Sequence, residues 1–502
     1  MTSPLSAITR SDGCRQDVLS PGLQPMPPGD PGSVPPLTGR AFALSCCGLA
    51  LLVCLAFPFL SERTCEAAHV PVVILANMLL GAHTVLFWRC ARQGPMGSLC
   101  MVAPTCFFAT HFSYQTALIA GLVNYSDYTE NRGLFFHEAT VLALAGFLLL
   151  LGGVHVGFAT ARPRGFACRH EAVEEPINAA AGVACVLSFA VLAEEVLRIG
   201  PGTIFGSSYN DPDLWDRFSR VYDASQLFLM LSFLLFSASM NAGTARWPNA
   251  PPVLAAATWL GYNAVLGYRG HILIFALVVN AVLAARGYRL NRWIGASLLV
   301  SAVASLPVLV AVRGDPVRDR DYRSAVQEHL LTSESLDEVI GTAGQMITTV
   351  ARALELYPHV LPYQCGATYL QSALYALPNI GGEKGRGGMR SFGQQMSDYY
   401  FSGVRAEGGG RKGVGSTPLA EAYGNFSIYG CAMLFCIGWF VGRLEFRVLW
   451  RADTFWAYFY GIAYYLVVWT MRNDCSTWAR TLTWGWLLFL GIQVWCATVR
   501  RA

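Results

Sequence analysis

Residues 413–430, GVGSTPLAEAYGNFSIYG, run straight into residues 431–442, CAMLFCIGWFVG. The second stretch is apolar enough to be read only as a membrane span. The first opens it with a carboxylate, an amide and two tyrosines. Polar side chains in hydrocarbon are costly and mark cavities, partners or chemistry. Glu421, Asn425 and Tyr429 are spaced i, i+4, i+8, which places them on one helix face. That face predicts a wet partner above the span.

Working outward, composition agrees with a membrane environment. Of 502 residues 54% are hydrophobic and only 14% charged, about half the charged share of a soluble domain, and mean hydropathy is +0.39. Apolar runs suited to a ~30 Å hydrocarbon core recur near 41–60, 69–88, 98–123, 135–159, 177–198, 224–243, 251–267, 270–285, 293–312, 419–442, 454–471 and 478–498. The expected fold is all-α: a polytopic integral membrane protein of about twelve transmembrane helices with one large outer loop. The expected division is a disordered, proline- and glycine-rich tail over 1–40, spans one to nine over 41–312, the loop over 313–418, and the last three spans over 419–502.

Arginines orient the spans. On one side fall Arg10, Arg15 and Arg40, then Arg89 and Arg92, Arg162, Arg164 and Arg169, Arg246, Arg286, Arg289 and Arg292, Arg443, Arg447 and Arg451, and Arg500 and Arg501. The short loops opposite mostly carry one each: Arg63, Arg132, Arg269 and Arg472. The positive-inside rule then makes both termini cytoplasmic and the 313–418 loop extracytoplasmic. Within that loop, Ser335-Leu-Asp-Glu338 fits a capping box. Leu336, Val339, Ile340, Ala343, Ile347, Val350, Ala351 and Leu354 follow at helical spacing as far as Pro358, predicting an amphipathic helix.

Several function classes lack their signatures. The glycine-rich stretches GGEKGRGG and EGGGRKGVGS have no Walker spacing. The nine histidines never pair as HxxxH, and the fifteen cysteines form no CxxC, so neither a metal nor any cofactor is expected. The triplets Asp211-Pro-Asp213 and Asp319-Arg-Asp321 are of a kind that binds a divalent ion beside a diphosphate, and also one that chance produces often. No cytoplasmic loop could house a nucleotide-sugar domain, and nothing suggests nucleic acid as a partner. Ionisable residues instead gather in one layer at the outer boundary: His137 and Glu138; Glu194, Glu195 and Arg198; Arg269 and His271; Arg313, Arg318, Arg320 and Arg323; Glu421 and Asn425; Arg472, Asp474 and Arg480. Singly, each reads as an interfacial anchor. Together they suit an anionic ligand such as phosphate or diphosphate.

Three stretches carry a resemblance. CGATYLQSALYALPNIGGEKG (365–385) resembles the G-x-T-Y-L-x-x-L-x-x-x-I-P motif in the outer loop of Wzy-type O-antigen polymerases. GSTPLAEAYGNFSIYG (415–430) is similar to that family's following motif, and GYRGHIL (267–273) to its G-x-R at the start of a span. The order is the family's, although Asn379 stands where the family often has arginine and Ser427 where glycine is common. The resemblance implies a GT-C-like, polymerase–ligase architecture and a metal-independent glycosyl transfer in the bacterial inner membrane. Its substrate would be a polyprenyl-diphosphate-linked oligosaccharide, and its partners membrane lipids, a chain-length regulator and a flippase. A leaving diphosphate needs guanidinium forks, assigned to Arg269 and Arg313 with Arg318 and Arg323 as helpers. The acceptor hydroxyl needs a base, assigned first to Glu421 and second to His271, with Tyr423 and Asn425 orienting substrate. An O-antigen ligase would share this architecture. A transporter or flippase of polysaccharide precursors is the alternative of a different class, expected to show inverted repeats.

Overall fold

The computed structural model describes residues 36–88, 98–122, 135–161, 171–206, 220–240, 250–266, 269–286, 321–329, 344, 346–376, 391–401, 415–451, 453–470 and 473–499. Every regular element among them is helical: α1 (Pro36–Ala56), α2 (Glu62–Trp88), α3 (Leu99–His111), α4 (Ser113–Ile119), α5 (Phe136–Thr160), α6 (Glu171–Ile199), α7 (Pro201–Gly206), α8 (Arg220–Ser239), α9 (Ala250–Leu266), α10 (Arg269–Ala285), α11 (Tyr322–His329), α12 (Met346–Leu356), α13 (Ala367–Tyr375), α14 (Phe392–Phe401), α15 (Pro418–Phe426), α16 (Ala432–Arg451), α17 (Thr454–Thr470) and α18 (Cys475–Val499), with short 3-10 turns at Phe57–Phe59 and Ser427–Cys431.

Among the described residues, seven helical stretches are long and apolar enough to cross a membrane: Gly39–Phe59, Glu62–Phe87, Phe136–Thr160, Pro176–Ile199, Val221–Ser239, Pro418–Val448 and Cys475–Val499. The expected spans at 251–267, 270–285 and 454–471 appear as the 17-residue helices α9, α10 and α17. At 1.5 Å per residue each reaches only about 25 Å, so twelve spans are not established on length. The span expected at 98–123 is broken at Phe112 into α3 and α4, and the one at 293–312 lies outside the described residues. The capping box at 335–338 also lies outside them; the amphipathic helix it was to open is described as α12, with Ile347, Val350, Ala351 and Leu354 all buried.

One continuous apolar core runs through the bundle, and α5 is its most deeply buried span. α5 and α16 approach at backbone distance because both carry small-xxx-small pairs. A Cβ on Gly153 or Gly157 would lie 2.2 Å from the Phe435 carbonyl oxygen or 2.1 Å from that of Trp439. Reciprocally, a Cβ on Gly438 or Gly442 would lie 2.2 Å from the Leu150 or 2.1 Å from the Val154 carbonyl oxygen. Even alanine is excluded unless the helices separate. By contrast α1 turns Leu44, Leu51, Leu52 and Leu55 outward, an apolar face that only lipid makes tolerable. The chain forms a multi-pass helical membrane protein.

The helices α12–α14 gather at one end of the bundle, called here the loop face. The opposite end is tied by buried polar groups. Glu445 Oε2 accepts from the Leu99 and Cys100 N–H groups (2.7 and 3.3 Å) and from the Tyr460 hydroxyl (2.8 Å). A carboxylate thus caps the buried N-terminus of α3, where the unpaired amides of a helix favour negative charge. One residue on, the Cys100 carbonyl accepts from His83 Nε2 (2.9 Å), whose Nδ1 meets His155 Nε2 at 3.2 Å. A carbonyl only accepts, so His83 carries its proton on Nε2, and His155 donates to His83 Nδ1.

Candidate functional site

α15 begins where its sequence directs. Thr417 is extended and its hydroxyl oxygen accepts from the Ala420 N–H (3.1 Å), with Pro418 in the first helical position. The helix stops after nine residues because Ser427 adopts φ 58°, and the chain passes through a 3-10 turn before resuming as α16. Gly430 makes that turn possible: a Cβ there would lie 2.1 Å from the Ala422 carbonyl oxygen. The break corrects one expectation. Tyr429 does not share the polar face with Glu421 and Asn425 but is swung out, 81% exposed.

Glu421 and Asn425 remain together, and their partner is the loop rather than open water. The Gln364 and Cys365 N–H groups donate to the Gly424 and Asn425 carbonyls (2.9 and 3.0 Å). Asn425 Oδ1 accepts from the Gly366 N–H (2.9 Å), while its Nδ2 donates to Thr368 Oγ1 (2.7 Å) and to the Glu421 carbonyl (2.8 Å). The Thr368 hydroxyl donates to Glu421 Oε1 (2.8 Å), and the Cys475 N–H, first in α18, donates to Glu421 Oε2 (2.8 Å). Gly366 holds φ 90° under the Phe426 ring, a conformation glycine takes without penalty. Glu421 is fully buried, and Asn425 and Thr368 are each 1% exposed. The polar face expected to line a cavity is instead closed by residues 364–368, because each polar group on it has found a partner in the loop.

Around this knot stand Asp474 and a run of tyrosines. Asp474 Oδ2 accepts from the Gly393 N–H (3.1 Å), tying α14 to the start of α18. Tyr363 donates to the Tyr423 hydroxyl (3.3 Å), which donates to the Tyr357 carbonyl (3.5 Å). Tyr357 stacks between Tyr363 and Phe392. Gly424 admits this packing, since a Cβ there would lie 2.6 Å from the Phe392 ring. Burial pushes the Tyr357 phenol up to about 12. Burial, and then the neighbouring Cys475 and Glu421, raise Tyr369 far above the ordinary phenol value. Both stay protonated at neutral pH and are not bases.

The other expected residues fall as follows. Tyr423 joins the knot. Arg269 and His271 occupy the first turn of α10. Arg323 is exposed on α11, its backbone N–H donating to Asp321 Oδ1 (3.0 Å). Arg313 and Arg318 lie outside the described residues. Arg480 is exposed on α18, and Glu421 is held by Thr368 and the Cys475 N–H. Among the described residues no group of three His, Cys, Asp or Glu side chains could hold a metal ion. Sequence reasoning missed Thr368, although it stands inside the quoted CGATYL; a hydroxyl between apolar neighbours was the available signal. The Asp474–Gly393 contact had none, because a backbone amide carries no residue-type signature.

A family profile described as "O-antigen polysaccharide polymerase Wzy" matches residues 216–501, more than half of the chain. No curated protein and no solved structure matches it. The matched stretch contains every residue of the Glu421 knot and excludes α1–α7.

Proposed function

Because the chain belongs to the O-antigen polysaccharide polymerase Wzy family, we propose that it polymerises lipid-linked oligosaccharide repeat units, moving the growing glycan from polyprenyl diphosphate onto a hydroxyl of the next unit. The loop face is proposed as periplasmic, with both termini in the cytoplasm of a bacterial inner membrane, the arrangement that the even count of twelve spans expected from the sequence requires.

The observation that supports this reading is the contact between Thr368 and Glu421. A hydroxyl donating at 2.8 Å to a buried carboxylate oxygen has the geometry a general base needs towards an acceptor sugar. In the proposed reaction the acceptor hydroxyl takes the place of the Thr368 hydroxyl on Oε1. Its oxygen attacks the anomeric carbon of the growing glycan as its proton passes to Glu421. The bond from that carbon to the diphosphate oxygen breaks, and the diphosphate leaves with the electron pair. Arg269 and Arg313, helped by Arg318 and Arg323, are proposed to stabilise that charge, with His271 as the alternative base and Tyr423 and Asn425 as orienting groups. No metal is invoked, since guanidinium groups supply the fixed positive charge.

Purified protein reconstituted with lipid-linked repeat units tests the reading directly. A ladder of glycans lengthening by whole units, with release of polyprenyl diphosphate, is expected. Transfer of a single unit to lipid A core, or movement of the lipid across vesicles without a new glycosidic bond, would replace polymerase with ligase or flippase.

A further inference from the structure

A polymerase joins two glycans and so has to hold two, whereas the knot around Glu421 accounts for one. The outer ends of α2 and α5 carry a second group of chemically capable side chains, outside the family match. His137 and Glu138 lie in the first turn of α5. The His69 ring from α2 meets that of His137 edge-on, with centroids 5.0 Å apart. Phe135, the residue preceding α5, stacks on His359 at 5.8 Å with the rings 11° from parallel. His359 sits in the turn 357–360 that follows α12. The Tyr357 carbonyl of this turn accepts from Tyr423, so the two groups flank one turn.

The unmet chemistry of this second group indicates its ligand. His137 Nδ1 and Glu138 Oε2 are buried atoms with no hydrogen-bond partner among the described residues, and none of those residues forms an ion pair with Glu138. Buried polar atoms are rarely left so, and each calls for an explanation. A carboxylate oxygen only accepts, and imidazole accepts or donates by tautomer. Adjacent hydroxyls of a sugar satisfy both atoms, and the Phe135 and His359 rings offer flat apolar surface to the C–H face of a pyranose. A carboxylate without a cation disfavours an acidic sugar. We propose that His137 and Glu138, with His69 and the Phe135–His359 pair, form a second saccharide subsite that binds a neutral sugar of the glycan away from the reacting bond. This rests on the polymerase reading above.

The test uses full-length protein in detergent and its repeat-unit oligosaccharide freed from lipid as the probe, titrated by calorimetry. Glu138→Ala and His137→Ala should each weaken binding about tenfold or more, the effect of removing a hydrogen bond to a charged or buried group. Glu138→Gln, which can still accept, should stay within about threefold of wild type. With lipid-linked substrate, KM should rise in the alanine variants by the same factor at unchanged kcat. Should either alanine variant fail to fold, His359→Ala on the exposed turn replaces it, with a weakening of about threefold expected. Unchanged Kd and KM in folded variants overturn the subsite while leaving polymerisation intact. Wild-type protein that extends no glycan overturns the polymerase reading itself, a result distinguishable from the first.

Discussion

Replacing Glu421 with glutamine separates chemistry from architecture. The carboxylate accepts the Thr368 hydroxyl on one oxygen and the Cys475 N–H on the other. Glutamine retains one acceptor, which has to face the Cys475 N–H because that group can only donate. Its NH2 then points at Thr368 Oγ1, which already receives Asn425 Nδ2 at 2.7 Å. Thr368 can take the second donor only by turning its own hydrogen elsewhere. One buried hydrogen bond is therefore lost or weakened, costing about 1–3 kcal/mol of stability, visible as a lower melting temperature. Loss of the base should lower kcat by about 10²-fold or more. The assay measures turnover of lipid-linked repeat units per folded molecule, with folding followed by size-exclusion profile and thermal melt. Glu421→Gln with lowered stability but near-normal specific activity would refute the base assignment and transfer it to His271. Thr368→Val completes the comparison: it removes the resident hydroxyl but keeps the carboxylate, so it should destabilise by a similar amount without the hundredfold loss.

Arg269→Ala should abolish long glycan while the protein stays in the membrane, and lysine there should restore only part of it, lacking the bidentate fork; glycan length on gels with immunoblot of the membrane fraction reads both. Gly153→Leu or Gly438→Leu should prevent α5 and α16 from closing, because each Cβ would fall 2.2 Å from a carbonyl oxygen; aggregation or a collapsed size-exclusion peak is the expected result. Tyr460→Phe removes one of three donors to Glu445 Oε2 and should cost about 1 kcal/mol of stability with turnover per folded molecule unchanged. A reporter fused between residues 381 and 415 should be active only in the periplasm; cytoplasmic activity would invert the proposed orientation.

The bundle was legible because bilayer thickness writes itself into run length: the α5 and α18 runs were found within about three residues at each end, while α2 and α6 begin seven and six residues before the runs expected at 69 and 177. Broken or short elements were less so. Nothing at Phe112 announces the break between α3 and α4, and the turn at Ser427 depends on Gly430 closing over Ala422, a contact made by tertiary packing. The i, i+4 spacing of Glu421 and Asn425 did identify groups that act together. It did not say towards what: hydrophobic periodicity marks a polar face without distinguishing water from a docked loop. That distinction rests on the Gln364, Cys365 and Gly366 amides, and backbone donors carry no residue type to read.

Two carboxylates in one nearly continuous helical span show why such polar groups differ in use. Glu421 and Glu445 are 24 positions apart, roughly 36 Å at helical rise, and each receives the first amide of another helix, α18 or α3. An uncompensated charge at either depth would be prohibitive, and the amides of a helix N-terminus offer compensation without a cation. The coordination then diverges. Glu445 Oε2 is crowded by two amides and a phenol, leaving that oxygen no room for another donor. Glu421 receives a hydroxyl and an amide on separate oxygens, and the Cys475 thiol donates to it as well. The donor on Oε1 is a side-chain hydroxyl, a group that an incoming sugar can imitate, whereas backbone amides have no such competitor. The carboxylate held on one oxygen by backbone amides and a phenol therefore suits an anchor, and the one held by a replaceable hydroxyl a proton acceptor. Exchanging Glu for Gln at both positions should divide accordingly, with stability alone lost at 445 and turnover lost in addition at 421.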